Sequence, residues 1–258
     1  PLFPYPPLFR PRDSFFTGVS EGIVSTDRII KMLEVVDDQL VIEKKGIYSI
    51  EKFLVARRLM YWQVYLHKTV HSAEQLLINI LKRAKYLTAQ GETLETSSAL
   101  KYFIENHVVL DDFKSDEKRF NGLTTLENFA MLDDADLMVA AKTWSSHPDK
   151  VLSRLCSNLI NRHLPKTIVQ DQPADASMVN LLTEGVMRKY NLTKEEASYF
   201  VSSGTIANKA YSQRHDQILV KEKDGSITKI EDVADMLNIR ALSTTVSKYY
   251  LSWPKEID

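Results

Sequence analysis

Residues 50–86, IEKFLVARRLMYWQVYLHKTVHSAEQLLINILKRAKY, read as one long helix that gathers charge and phenol on one side. At about 100° per residue, Arg57, Tyr61, Tyr65 and Lys68 fall within an arc of roughly 80°. Two cations and two phenols on one stripe can grip a phosphorylated ligand. Guanidinium and ammonium pair with phosphate oxygens, while phenols donate hydrogen bonds or stack. The competing reading is that the rings fill the core and the Arg and Lys stems run past them to water.

Around this stretch the composition sets bounds. A chain of 258 residues with 44% apolar, 26% charged and only eight glycines reads as globular and mainly helical. Thirty-three basic residues against 34 acidic ones give a net charge of −1, so no overall field calls for nucleic acid or an anionic membrane. No apolar run approaches membrane-spanning length, and no signal-peptide pattern opens the chain. The single Cys156 excludes an internal disulfide and suits a cytoplasmic setting; within LSRLCSNLI it reads as a buried structural thiol.

Punctuation organises the rest. Five of the nine prolines lie in the first eleven residues, which predicts an extended arm over 1–11. Ser25-Thr26-Asp27 predicts a helix over 27–36, and QLVIEKKGIYSI then suggests a short strand and turn. Helices are expected over 98–106, from 125 onward, and over 149–162, 178–190 and 194–200, the last opened by a Thr193/Glu196 capping box. The segment 169–177 is the internal linker candidate, dividing a region 12–168 from a C-terminal region 178–258. Asp224-Gly225 predicts a hairpin turn.

Metal-ligating residue types are sparse. His67 and His71 stand at i, i+4, a spacing that can place two imidazoles on one ion, but the motif offers no third ligand. Asp111-Asp112 and the Asp133, Asp134, Asp136 group can attract a hard cation; the latter equally suits a helix start. No metal ligand is assigned in this chain.

The strings RDSFFTGVSEG (12–22) and EKFLVARRLMYWQVYLHKT (51–69) together resemble the HD-domain phosphohydrolases of the deoxynucleotide triphosphohydrolase type. Residues 129–166 and 218–256 resemble that family's accessory helical region and bacterial tail, so the resemblance runs from Arg12 to the C-terminus. It implies a mainly α, HD-phosphohydrolase-like fold with a small C-terminal β-hairpin element. It also implies a nucleotide ligand, homo-oligomers and a divalent metal (Mn, Mg, Fe, Ni or Zn) that activates water. Arg12 and Asp13 match the RD pair, whose Asp lies near the nucleotide sugar, and Arg57, Tyr61, Tyr65 and Lys68 match the helix facing phosphates and sugar. Arg162 and Lys166, in NRHLPK, resemble a regulatory-nucleotide motif of form R-x-L-F-K, with Pro165 in place of the aromatic.

The family's metal ligands, a His, a His-Asp pair and a later Asp, stand ahead of the RD pair. The final Asp belongs to a string D-R-M-D-Y-L-x-R-D; here Tyr5 occupies its place and Phe9 that of the family's Tyr. The adjacent His215-Asp216 lies far downstream. The expectation is therefore a phosphohydrolase of (deoxy)nucleoside triphosphates whose metal site is not in this chain. The alternative is a non-catalytic nucleotide-binding or oligomerisation module.

Overall fold

The computed structural model describes residues 6–208, 217–234 and 244–257, the first six of these by backbone alone. Its first element is a helix, α1 (Pro6–Thr17), so the second half of the expected extended arm is helical; residues 1–5 lie outside the described residues. Pro6 and Pro7 stand in the first turn, where a backbone N–H has no intrahelical partner and proline's φ is already helical. Next come a 3-10 turn Ser20–Gly22, α2 (Thr26–Lys31), β1 (Leu33–Val36), β2 (Gln39–Glu43), α3 (Ile47–Met60), a π-helical turn Tyr61–Tyr65 and α4 (Lys68–Ala89). The helices α5 (Ser98–Glu105), α6 (Thr125–Ala130), α7 (Asp134–Trp144) and α8 (Lys150–Ile160) precede β3 (Lys166–Gln170). Then follow α9 (Ala176–Tyr190), α10 (Lys194–Ser198), β4 (Ser202–Asn208), β5 (Leu219–Lys221), β6 (Ile227–Lys229), α11 (Ile230–Val233) and β7 (Val246–Trp253).

Two further expectations are corrected. The helix expected over 27–36 stops at Lys31, and Leu33–Val36 turns back as a strand against β2, with Val36 opposite Gln39. Asp37 and Asp38 form the two-residue turn at φ 49° and 60°. Such primed turns match the strand twist, and Asp is one of the few side chains that tolerates the left-handed region. The single helix expected over 50–86 is two helices, α3 and α4, parted at the π-turn and at His67.

The described residues fall into two compact units. The first draws on Pro1–Val70, Gln170–Gln172 and Thr205–Tyr249. Its sheet has the order β1-β2-β5-β6, with β1/β2 and β5/β6 antiparallel and β2/β5 parallel. Ile47, Ile50, Phe53 and Leu54, at helical spacing on α3, bury themselves with Ile42, Val220 and Ile230 in one apolar cluster. The hairpin expected at Asp224-Gly225 is present as β5/β6. Gly225 takes φ 88°, and the Asp224 carboxylate accepts the Ser226 N–H at 3.0 Å.

The second unit draws on His71–Val169, Pro173–Gly204 and Tyr250–Asp258. Leu76, Ile80 and Ala84 of α4 pack with Trp144, Leu152, Leu155 and the fully buried Cys156. Burial pushes the Cys156 thiol up to about 12, as an inert structural cysteine requires. Arg83 grips Asp149 with two bonds, Nε to Oδ1 at 3.1 Å and Nη2 to Oδ2 at 2.6 Å, while Asp149 also accepts the Leu152 N–H and so caps α8. Burial alone would raise the Asp149 carboxyl; the Arg83 bonds and the Leu152 N–H overcome that and hold it below its usual value. The Thr193/Glu196 capping box is formed as expected. Strands β3, β7 and β4 join in that order in a second sheet. The result is a mainly α chain with small β elements. Among the described residues no helix is long and apolar enough to cross a membrane.

Candidate functional site

Four of the six residues singled out for the substrate gather around the end of α3. The chain leaves α3 through a wider turn: the Leu66 N–H donates to the Tyr61 carbonyl, five residues back, at 2.6 Å. Tyr61 and Tyr65 end on the same side of that turn, their rings edge to face with centroids 5.3 Å apart. The Tyr65 hydroxyl donates to Asp13 Oδ2 at 2.7 Å, tying the turn to α1. Arg57 stands one turn before Tyr61 on α3 and is half-buried; its Nε is shut away from solvent with no hydrogen-bond partner among the described residues. A buried, unsatisfied guanidinium N–H is costly, and an anionic acceptor is the group that would satisfy it.

Close backbone approach fixes Asp13 opposite this turn. A Cβ on Gly22 would stand 2.5 Å from Met60 Sδ and 2.8 Å from Ser14 Cβ, so only glycine lets the 3-10 turn wedge between α1 and α3. The Ser14 hydroxyl donates to the Val19 carbonyl and Thr17 Oγ1 to the Asp13 carbonyl at 2.6 Å, which closes the end of α1.

Lys68 does not share the continuous stripe expected of it. His67 leaves the helix, and its Nδ1 accepts the Thr69 N–H at 3.3 Å, which starts α4 afresh with Lys68 exposed as its first residue. A cation there opposes the helix dipole, a placement worth about 0.3–1 kcal/mol in the wrong direction unless an anion answers it. Arg12 is exposed on α1.

The regulatory pair lies in the second unit. Arg162 follows α8 in the left-handed region at φ 57°. Its N–H reaches the Leu159 carbonyl at 3.2 Å, and that of His163 reaches Asn158 at 2.8 Å, the crossed pair that commonly closes a helix. Lys166 opens β3 with its ammonium 5.3 Å from the Trp253 ring. Among the described residues no group of three or more His, Cys, Asp or Glu side chains can hold a metal ion, so the described residues offer no site for the divalent ion that the resemblance implies. His215-Asp216 lies outside the described residues.

Sequence reasoning named the residues of this site but missed two features that build it. The π-turn spans only five residues, too few for a period to show. Gly22 gave one usable signal, a glycine eight residues after Ser14 in an otherwise glycine-poor chain.

Residues 24–102 match the family model of the HD associated region. The chain is 35% identical over 153 residues to the uncharacterized protein YwfO of Bacillus subtilis, covering 59% of this chain and 32% of that protein. To the uncharacterized protein MJ1154 of Methanocaldococcus jannaschii it is 36% identical over 88 residues, 33% of this chain and 19% of that protein. Among solved structures, a phosphohydrolase (BT4208) from Bacteroides thetaiotaomicron superposes with a TM-score of 0.83 at 48% identity, over 95% of this chain and 59% of that one. The chain thus spans about a third or less of the two curated relatives and under two thirds of the phosphohydrolase. The chain thus carries the HD associated region over residues 24–102 and is similar to a phosphohydrolase over nearly its whole length.

Proposed function

We propose that this chain supplies the substrate-gripping part of an HD-type phosphohydrolase acting on deoxynucleoside triphosphates, with metal ligands drawn from residues that it does not contain. The observation that carries the reading is the Tyr65–Asp13 hydrogen bond. It joins a carboxylate to the second of two phenols that follow Arg57 at four and eight residues, and the buried Arg57 Nε lacks an acceptor among the described residues. In this reading Arg57 and Lys68 take phosphate oxygens, and Asp13 with Tyr65 takes a sugar hydroxyl, because a carboxylate accepts what a hydroxyl donates. The name of the Bacteroides protein supports phosphohydrolase chemistry in general; the nucleotide is our inference from the site.

Calorimetric titration of the chain with each deoxynucleoside triphosphate, with and without manganese, tests this. Binding is expected. It should fall at least about tenfold in Arg57→Ala/Lys68→Ala, as loss of two charge-assisted contacts requires, while the melting temperature barely moves. Undiminished affinity in that variant would mean that the side chains serve packing alone. The chain by itself should release no nucleoside and tripolyphosphate; turnover would refute the placement of the metal ligands elsewhere.

A further inference from the structure

A second cleft, in the helical unit and independent of the site above, opens along the outward face of α8. It has a volume of about 360 Å³ and is lined by Lys150, Ser153, Arg154, Ser157 and Asn158 of that helix, with Ser145, Tyr190 and Leu192 across from them. Only Leu192 is apolar, so the cleft suits a hydrophilic ligand. The α8 residues recur at i, i+3, i+4, i+7 and i+8, opposite the buried Val151, Leu152, Leu155 and Cys156.

The electrostatics of this cleft are out of balance in one direction. Lys150 and Arg154 are like charges at i, i+4, an arrangement that works against the helix. Lys150 is also the first residue of α8, where a cation opposes the dipole. Neither has a carboxylate within ion-pair distance among the described residues. Arg154 is held by the Tyr190 ring, 3.9 Å from its guanidinium carbon, which fixes the side chain without neutralising it. The Tyr190 hydroxyl is buried, with the Glu256 carboxylate and the Arg154 guanidinium beside it. Burial, and then the Glu256 carboxylate, push its pKa up, so the phenol keeps its proton to donate. Ser157 Oγ accepts from Asn161 Nδ2 at 3.1 Å and retains its own proton for a ligand. Ser145 and Ser153 now donate to the carbonyls of Lys142 and Asp149, and each would swing to reach a ligand.

We infer that this cleft is a phosphate-binding site, built from Lys150, Arg154, Ser157 and Tyr190. Two cations match the two charges of a phosphate or phosphomonoester, and its several oxygens match the convergent hydroxyl donors. A carboxylate carries one charge and two oxygens and would leave one cation unanswered.

The test is titration of the full chain with inorganic phosphate, glycerol phosphate and acetate, followed by calorimetry and by amide chemical shifts of α8. Phosphate should shift the α8 amides and acetate should not. Phosphate affinity should fall at least about tenfold in Lys150→Ala/Arg154→Ala and survive in Arg57→Ala/Lys68→Ala. Ser157→Ala, which leaves both charges, should weaken binding by a smaller factor. Tighter binding of glycerol phosphate than of phosphate supports the site with an esterified ligand, and equal binding supports it with the free ion. Unmoved α8 amides, or binding lost only in Arg57→Ala/Lys68→Ala, would overturn the assignment. Because the two double variants lie in different units, failure here leaves the nucleotide reading standing, and the reverse holds.

Discussion

Gly22 and His71 show how single residues constrain the two units. Replacing Gly22 by Ala drives a methyl into Met60 and Ser14, and Ser14 Cβ cannot give as the thioether can. The variant should lose about 1–3 kcal/mol of stability in urea denaturation. It should also weaken nucleotide binding, because α1 carries Asp13 away from Tyr65; unchanged stability would mean the turn relaxes freely. His71 packs its ring edge-on against Tyr250, with centroids 4.2 Å apart, and burial lowers its pKa from 6.5, with Glu74 opposing in part. A histidine depressed in the fold binds its proton more readily when unfolded. Its contribution is therefore complete above 6.5 and is lost as pH falls below that value toward the folded pKa. Denaturation midpoints at about pH 7.5 and about pH 5.5 should differ less in His71→Gln than in the unaltered chain; equal differences would remove His71 as the source.

The π-turn shows what an element decides that its residues do not. Arg57, Tyr61, Tyr65 and Lys68 were legible in the sequence as a group, yet on a regular helix they would form one straight stripe. The extra residue per turn at Tyr61–Tyr65 instead rotates the phenols as a pair and ends the helix. Deleting the exposed Gln63 should restore a regular helix, swing Tyr65 by about 100° and break its bond to Asp13. Nucleotide affinity should then fall while far-UV circular dichroism stays near that of the unaltered chain. Retained affinity would separate the phenols from the ligand. Elsewhere local chemistry was explicit enough to read: Thr193 with Glu196 at the start of α10, and Asp224-Gly225 at its turn. Leu33–Val36 was not, because a short aliphatic run suits either a helix or a strand until the Asp37-Asp38 turn folds it back.

At the scale of the molecule, helical content followed from composition and periodicity, whereas pairings between distant segments did not. Asp13 and Tyr65 are 52 positions apart and nothing local links them. The parallel pairing of β2 with β5 is more extreme: Val41 meets Leu219, and Lys44 reaches Glu222 across 178 positions at 2.6 Å. This has a consequence for synthesis. The β1/β2 hairpin is made well before β5, so its inner edge and the cluster around Ile42 stay uncovered until Ile218, Val220 and Ile230 are made. So long a loop closes slowly, and an uncovered strand edge invites pairing with other chains in the meantime. A chain ending at residue 217 should accordingly aggregate on expression although it keeps every residue of the candidate site, and a soluble, nucleotide-binding product would contradict that order of assembly. Strands β5 and β6 thus act as a release signal: until they arrive, β1 and β2 remain dependent on whatever shields them at the ribosome.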